Sequence, residues 1–425
     1  MITGNRISVT DHQKTAVISL VLALAFLATT AAGLSAQTRP APPSLEGDPA
    51  LARILVWQLE KGETADAERL LSANMAAVKD RLEEVVRDID KEFDIVGRFG
   101  AVSIRFGPGY GELEARNRSY QKLFDLYKKL GGDENLYKRF EARRLRVEGA
   151  HLTNQGENAC GETADWDGAQ KLYEQALQRL NSSVALAQQV GDYRLMASAK
   201  INIGSALIRL ARPDEAIKAY NEASQYAERA PGDLYKGLVR LNLGNTYVWR
   251  GDPEKSLPYS QEALAIFRKI GRGTWEANAL MNIGNAYIRE RRFADAWETL
   301  HLALEVARKN GEYRVYGRTL INMGMAGIQL KKSDAASLLQ EGLQWYKDDT
   351  EIYPAIEREM IRQDGLRMLS QLARQSGNQA LAEKYDREFL ESMGSDPNRY
   401  KTLHESPCFS IYQARPKPQN TASIK

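Results

Sequence analysis

Four asparagines recur at intervals of 40 residues, and each stands two residues before a glycine. They are Asn202, Asn242, Asn282 and Asn322, followed by Gly204, Gly244, Gly284 and Gly324. An asparagine amide both donates and accepts hydrogen bonds. A repeat of this period is the signature of a solenoid, whose long surface and few deep pockets suit it to holding another molecule. The pattern therefore indicates recognition rather than catalysis.

Side chains that could perform other chemistry do not form a recognisable set. The histidines beyond the N-terminal segment, His151, His301 and His404, share no metal-type spacing with each other or with the cysteines. The sequence contains no His-Glu-x-x-His, no Gly-x-Ser-x-Gly and no phosphate loop. Acidic pairs such as Glu83-Glu84 lie in charged stretches typical of solvated helix faces. We predict no catalytic residue, no metal site and no cofactor.

One segment, residues 97–112, interrupts the helical pattern with clustered glycines: Gly97, Gly100, Gly107, Gly109 and Gly111. Such clusters cradle phosphates only between a strand and a helix, with a suitably placed lysine or acidic partner. No Gly-Lys-Ser/Thr occurs here, so the segment is interpreted as a buried turn between helices. An enzyme with its site in this segment stays open as a less favoured alternative.

The composition limits the functional classes further. Among 425 residues, 58 lysines and arginines nearly balance 55 aspartates and glutamates, which gives no electrostatic case for a nucleic-acid partner. Abundant aliphatic and aromatic residues exclude global disorder. Alanine, leucine, glutamate and arginine dominate after residue 45, and this composition favours helix.

The N-terminal segment has the features of a targeting sequence. Arg6 and Lys14 precede an uncharged stretch with an apolar core from Ala16 to Ala28, and small residues follow. This pattern predicts a signal peptide over residues 1–36 and an exported, periplasmic or secreted protein. The run is also long enough to span a bilayer, so an uncleaved anchor in the inner membrane is the alternative. Only in that case do we expect contact with a membrane.

Cys160 and Cys408 are the two cysteines of the chain. In an exported protein they could form a disulfide. The alternative is two unrelated thiols, because sequence alone does not place them within bridging distance.

The rest of the chain divides into a Pro-rich linker (37–47), an N-terminal helical region (48–131), a repeat region (135–393) and a mostly irregular tail (394–425). Two helices are predicted within 48–96, the second from about Thr64 to Ile95. In the repeat region, a helix over Asn135–Asn154 is followed by a polar insertion at roughly 157–164. Turn residues then divide each 40-residue unit into a helical hairpin, and about five to six hairpins are predicted.

These units resemble tetratricopeptide repeats. The resemblance is carried by Asn282-Ile283-Gly284-Asn285-Ala286-Tyr287 with Phe293, Ala296 and Ala303, and nearly as well by Leu243-Gly244-Asn245-Thr246-Tyr247. It covers roughly residues 136–393, and the unit is similar to the longer 40-residue variant of the usual 34-residue repeat. The fold class it implies is all-α, a right-handed α-solenoid preceded by an N-terminal helical cap.

The resemblance also implies a site. In such families the first helices of successive repeats line a concave groove, and the position of the four asparagines often contacts the backbone of a bound peptide. Further groove candidates lie one and two turns along the same face: Asn245, Asn285, Arg209, Trp249 and Arg289. The asparagines could instead serve helix packing.

An apolar stripe flanks these positions, formed by Ile201, Leu241, Met281 and Ile321 and, seven residues later, Ile208, Val248, Ile288 and Ile328. It is either core or the floor of a groove, and core is favoured. The function predicted from the sequence is a non-catalytic scaffold that binds a protein or peptide partner in the groove. A membrane-anchored structural or assembly factor is the alternative.

Overall fold

The computed structural model describes residues 50–98, 110–348 and 355–408. The predicted signal peptide and linker, most of the glycine-rich segment and the end of the tail lie outside these residues. Within the described ranges, no helix is long and apolar enough to cross a membrane.

In the described part of the N-terminal region, residues 50–98 and 110–131, four helices are present: α1 (Leu51–Glu60), α2 (Thr64–Ala73), α3 (Met75–Arg98) and α4 (Tyr110–Lys129). The sequence predicted one helix from Thr64 to Ile95, but the structure divides it at Asn74. This residue leaves the helical region, with φ −133°, and its Nδ2 donates to the Leu70 carbonyl oxygen at 2.9 Å. The amide side chain thus bonds a carbonyl at the end of α2, which explains the break.

The repeat region forms six antiparallel helical hairpins within the described residues. They are α5–α6 (Glu134–Thr163, Trp166–Gln189), α7–α8 (Tyr193–Arg209, Pro213–Arg229), α9–α10 (Leu234–Arg250, Pro253–Lys269), α11–α12 (Gly273–Arg289, Phe293–Asn310), α13–α14 (Tyr313–Gln329, Ala335–Asp348) and α15–α16 (Ala355–Gln375, Gln379–Ser392). A further helix, α17 (Arg399–Glu405), lies beyond them.

One prediction about an irregular segment is wrong. The expected polar insertion at 157–164 is the last part of α5, where Cys160 is buried and the helix ends at a left-handed Ala164 with φ 55°. The polar residues there belong to a continuous helix rather than a loop: Asn158 and Thr163 are exposed, and Glu157 and Glu162 are partly buried. Within the tail that was predicted to be mostly irregular, residues 399–405 form α17, and residues after 408 lie outside the described part of the chain.

The two helices of a hairpin approach closely at the glycine that recurs every 40 residues. A Cβ built on Gly284 would lie 2.5 Å from Leu300 Cδ2 of the paired helix, and Leu300 is fully buried. Gly204, Gly244 and Gly324 face Tyr220, Ser260 and Leu339 in the same way. Any larger residue would force the helices apart, which accounts for the 40-residue recurrence of glycine.

The hairpins stack in two layers. Each first helix, from α5 to α13, contacts the first helix of the next hairpin. The second helices of neighbouring hairpins do not pack on one another to a similar extent. Because helices on the inside of a curved array lie closer together, the first helices form the concave side.

Buried charges attach the N-terminal helices to the array. Asp90 of α3 accepts hydrogen bonds from Arg143 Nη2 at 2.7 Å and Arg146 Nη2 at 3.0 Å, and Arg143 also pairs with Asp192 at 2.7 Å. Burial disfavours the Asp90 carboxylate, but Arg146 and Arg143 outweigh this and lower its pKa below the ordinary value. The Arg146 guanidinium also stacks 3.8 Å from the centroid of the Phe93 ring.

Candidate binding face

The concave face is defined here by the side chains that α7, α9, α11 and α13 direct away from their paired second helices. The repeated asparagines lie on these four helices. Identical sequence register does not give them identical surroundings. Asn202 and Asn242 are partly buried, whereas Asn282 is 2% exposed and Asn322 is 9% exposed.

The asparagine amides fall into two kinds. Asn242 Nδ2 donates to the Leu238 carbonyl oxygen at 2.8 Å, and Asn322 Nδ2 donates to Asn285 Oδ1 of the preceding hairpin at 2.6 Å. The Nδ2 atoms of Asn202 and Asn282 are buried and have no hydrogen-bond partner among the described residues. Buried polar atoms are nearly always paired, so these two donors require an explanation.

Asn245 and Asn285, one turn further along, are both partly buried. Asn285 uses its Oδ1 to accept from Asn322 and thereby links α11 to α13. Asn245 occupies the equivalent position beside Asn282, yet Asn282 Nδ2 makes no such bond. An amide-to-amide hydrogen bond therefore joins Asn322 to Asn285, whereas Asn282 Nδ2 does not form the equivalent bond to Asn245.

The three candidates a further turn along differ from one another. Arg209 Nε donates to Glu157 Oε1 of α5 at 2.8 Å, in a pair whose side chains are largely buried. Trp249 packs against the apolar cluster of the first hairpins. Arg289 retains accessible surface, yet loss of surrounding water lowers the pKa of its guanidinium. The Arg289 side chain is therefore accessible to solvent but partly desolvated by neighbouring protein atoms, as expected on a concave surface.

The apolar stripe is mostly core. Ile201, Leu241 and Met281 are at most 9% exposed and belong to three successive apolar clusters. Ile321 differs, because it lines a cavity of 740 Å³ together with Met325, Phe389 and Tyr400. Of these four stripe residues, Ile321 at the C-terminal end of the face is the one that could form the floor of a groove.

The cysteines are joined. A disulfide links Cys160 at the end of α5 to Cys408 after α17, with Cα atoms 5.3 Å apart and a sequence separation of 248 residues. Both residues are buried.

Sequence reasoning missed a polar group on the C-terminal helices. Asp364 accepts from the Tyr400 hydroxyl at 2.8 Å and lies 3.2 Å from His404 Nε2. Its hydrogen bond raises the pKa of His404 above the ordinary value, although burial opposes the charged form. The Tyr-x-x-x-His spacing in 400–404 was the available signal, since residues four apart share a helix face.

The described residues contain no group of three or more His, Cys, Asp or Glu side chains placed to hold a metal ion. The groups on the concave face that can act chemically are amides and guanidinium ions. Such groups hold a ligand by hydrogen bonds and charge.

Comparisons with known proteins agree with this architecture. A tetratricopeptide-repeat family model matches residues 164–229 and 235–309. No curated protein matches the chain.

Two solved structures share the fold at low identity. One is a Rap protein complexed with competence and sporulation factor, which is 14% identical, with 78% of this chain and 89% of that chain covered and a TM-score of 0.52. The other is a signal-transduction ATPase with a tetratricopeptide-repeat sensor from Pyrococcus horikoshii, at 16% identity and a TM-score of 0.50. Here 86% of this chain and 55% of that chain are covered, so the chain spans about half of that ATPase. The family match shows tetratricopeptide repeats over residues 164–229 and 235–309, and the stacked hairpins of the described residues share that architecture.

Proposed function

We propose that the concave face of α7 to α13 binds a segment of another protein and that the chain acts as a non-catalytic scaffold. The observation that carries the proposal is the pair of buried amide donors without partners, Asn202 Nδ2 and Asn282 Nδ2. Leaving a buried donor unpaired costs about 1–3 kcal/mol. A bound segment that supplies carbonyl oxygens would remove this cost.

The amides can reach such a ligand with little rearrangement. The χ2 torsion of asparagine has a broad energy profile, so the amide plane can rotate toward a ligand at low torsional cost. Arg289 on the same face adds a partly desolvated cation for an acidic or carbonyl group. The surface exists before binding, which limits the entropy lost on association.

The Rap protein structure supports the proposal through its fold alone. That protein is complexed with competence and sporulation factor, so an array of this type can carry a bound partner. The identity of 14% transfers neither that factor nor its contacts to this chain.

A matched set of variants tests the proposal. After partners are captured from native extract, Asn202→Ala with Asn282→Ala should weaken binding of the enriched partner at least tenfold. Asn221→Ala serves as control, because Asn221 is exposed on the second helix α8 and lies outside the concave face. Equal binding by the double variant and the control would exclude the asparagine amides from recognition.

We also propose that the protein is exported through its N-terminal segment. The Cys160–Cys408 disulfide supports this, because disulfides persist mainly in oxidising compartments. The mass of the mature N-terminus is the test: a chain beginning near Gln37 supports cleavage. An intact Met1 terminus in the membrane fraction would favour the anchored assembly factor instead.

A further inference from the structure

The two ends of the hairpin array contact each other. α15 contacts α5, and the Ala355 backbone N–H donates to Glu162 Oε2 at 3.5 Å. Since α5 and α15 are the first helices of the first and last hairpins, both belong to the concave layer. The Cys160–Cys408 disulfide ties the chain beyond α15 to the same end of α5.

The segment 399–408 lies on α15 through a set of specific polar contacts. Arg399 forms a bidentate ion pair with Glu359, with Nη2 to Oε2 at 2.6 Å. The Tyr400 hydroxyl donates to Asp364, and the Tyr400 ring lies 4.7 Å from the Arg367 guanidinium and 5.5 Å from the Phe389 ring.

Its apolar residues enter the core of the array. Leu403 is 5% exposed and Cys408 is 9% exposed. Both belong to the cluster that contains Ile356 and Met360 of α15 and the buried residues of the first two hairpins. The segment thus combines one basic end, an aromatic ring and a leucine three residues later, as a short helical ligand does.

The segment also borders space that the array leaves open. Tyr400 is one wall of the 740 Å³ cavity, and Ile321 and Met325 of the concave layer form another. Withdrawal of α17 would remove the Tyr400 wall of this open cavity and uncover the apolar residues beneath Leu403.

We propose that residues 399–408 are a self-ligand that occupies the C-terminal end of the concave layer and is held there by the disulfide. The inference rests on the proposed function, and it specifies the partner: a short helix with the chemistry of this segment, with an aromatic residue followed three positions later by an aliphatic one. Such a partner competes with the segment for the surface.

Reduction controls the competition. Exchange with an external dithiol breaks the Cys160–Cys408 bond, leaves two cysteine thiols and oxidises the dithiol to its own disulfide. The segment is then retained only by its non-covalent contacts, and its effective concentration at the surface falls.

The test uses a fluorescent synthetic peptide of residues 396–408 with serine in place of Cys408. It is titrated against the oxidised full chain and against a full-chain variant with Cys408→Ser and Leu403→Asp, which displaces the internal segment. We expect the variant to bind the peptide at least tenfold more tightly than the oxidised chain. Absence of binding to the folded variant, or equal binding to both proteins, overturns the proposal.

A second measurement keeps the proposal testable should Leu403→Asp prevent folding. In the unmodified chain, a dithiol should accelerate amide hydrogen exchange in α17 at least tenfold and leave exchange in α7 to α13 unchanged. Unchanged protection of α17 after complete reduction overturns the retaining role of the disulfide.

The two proposals fail in different ways. If the peptide competes as expected but no protein partner contacts the concave face, the self-ligand stands and the scaffold function fails. If a partner contacts the face with equal affinity before and after reduction, the scaffold function stands and the self-ligand fails.

Discussion

Gly284 provides a direct test of the close packing within each hairpin. A side chain at this position would enter space held by Leu300, since even a Cβ atom lies 2.5 Å from Leu300 Cδ2. Overpacking of a filled core costs about 1–3 kcal/mol, and leucine, with three carbons beyond Cβ, belongs at the upper end. Replacing a glycine inside a helix also stabilises the helix by about 1 kcal/mol through higher helix propensity. Gly284→Leu should therefore lower the free energy of unfolding by about 2 kcal/mol.

The assay is urea unfolding followed by far-ultraviolet circular dichroism, with hydrogen exchange of α11 and α12 as a local readout. Gly317→Ala is the matched control, because its Cβ would lie 3.3 Å from Trp345 Cβ and needs only a small adjustment. The control should be at least as stable as the native chain, with a gain of up to about 1 kcal/mol from helix propensity. A Gly284→Leu variant as stable as the control would refute the argument that glycine is required for close approach.

Three further outcomes are expected. Asp90→Asn should destabilise the fold by about 3 kcal/mol, because it leaves buried guanidinium groups without their full set of partners. In the native chain, the stability that ionised Asp90 contributes should be lost as pH falls below about 4, since the folded pKa of Asp90 is lowered. Urea unfolding at a series of pH values measures this loss. A free energy of unfolding that is the same at pH 5 and below pH 4 would contradict a lowered pKa for Asp90. Asn282→Ala should leave the free energy of unfolding unchanged or raise it, because it removes a buried donor whose lack of a partner costs about 1–3 kcal/mol; a loss of stability would reveal a hydrogen bond made by Asn282. Because the pKa of His404 is raised, its charged form stabilises α17 fully below about pH 6.5, and this stabilisation is lost as pH rises through the folded pKa. Protection of the α17 amides, measured relative to unfolded exchange rates, should fall over the same range. Asp364→Asn should abolish this loss of protection.

The hairpins could be predicted because their determinants are local. The glycine register, the apolar spacing and the turn residues all repeat within 40 positions, and each sets the geometry of its own helix pair. The break at Asn74 could not be predicted from periodicity, because the apolar pattern continues through it while one side-chain bond ends the helix.

The contact between the two ends of the array depends on the combined geometry of all the hairpins rather than on local sequence signals. The approach of Cys408 to Cys160 results from small rotations accumulated over 248 residues, and no segment of the sequence encodes that total. The asparagines show a related limit. Asn322 bonds to Asn285, but Asn282 does not bond to Asn245, so identical registers diverge through small shifts between neighbouring hairpins.

Site-specific photocrosslinking tests the central claim most directly. A photoreactive amino acid is placed at Asn245 or Asn285 on the concave face, and at Asn221 or Gln261, which are exposed on second helices. The full chain is then exposed to native extract, and crosslinked products are identified by mass spectrometry. The account predicts one recurrent protein partner at the concave positions and none at the convex ones. The same partner at the convex positions alone would contradict binding in the concave groove.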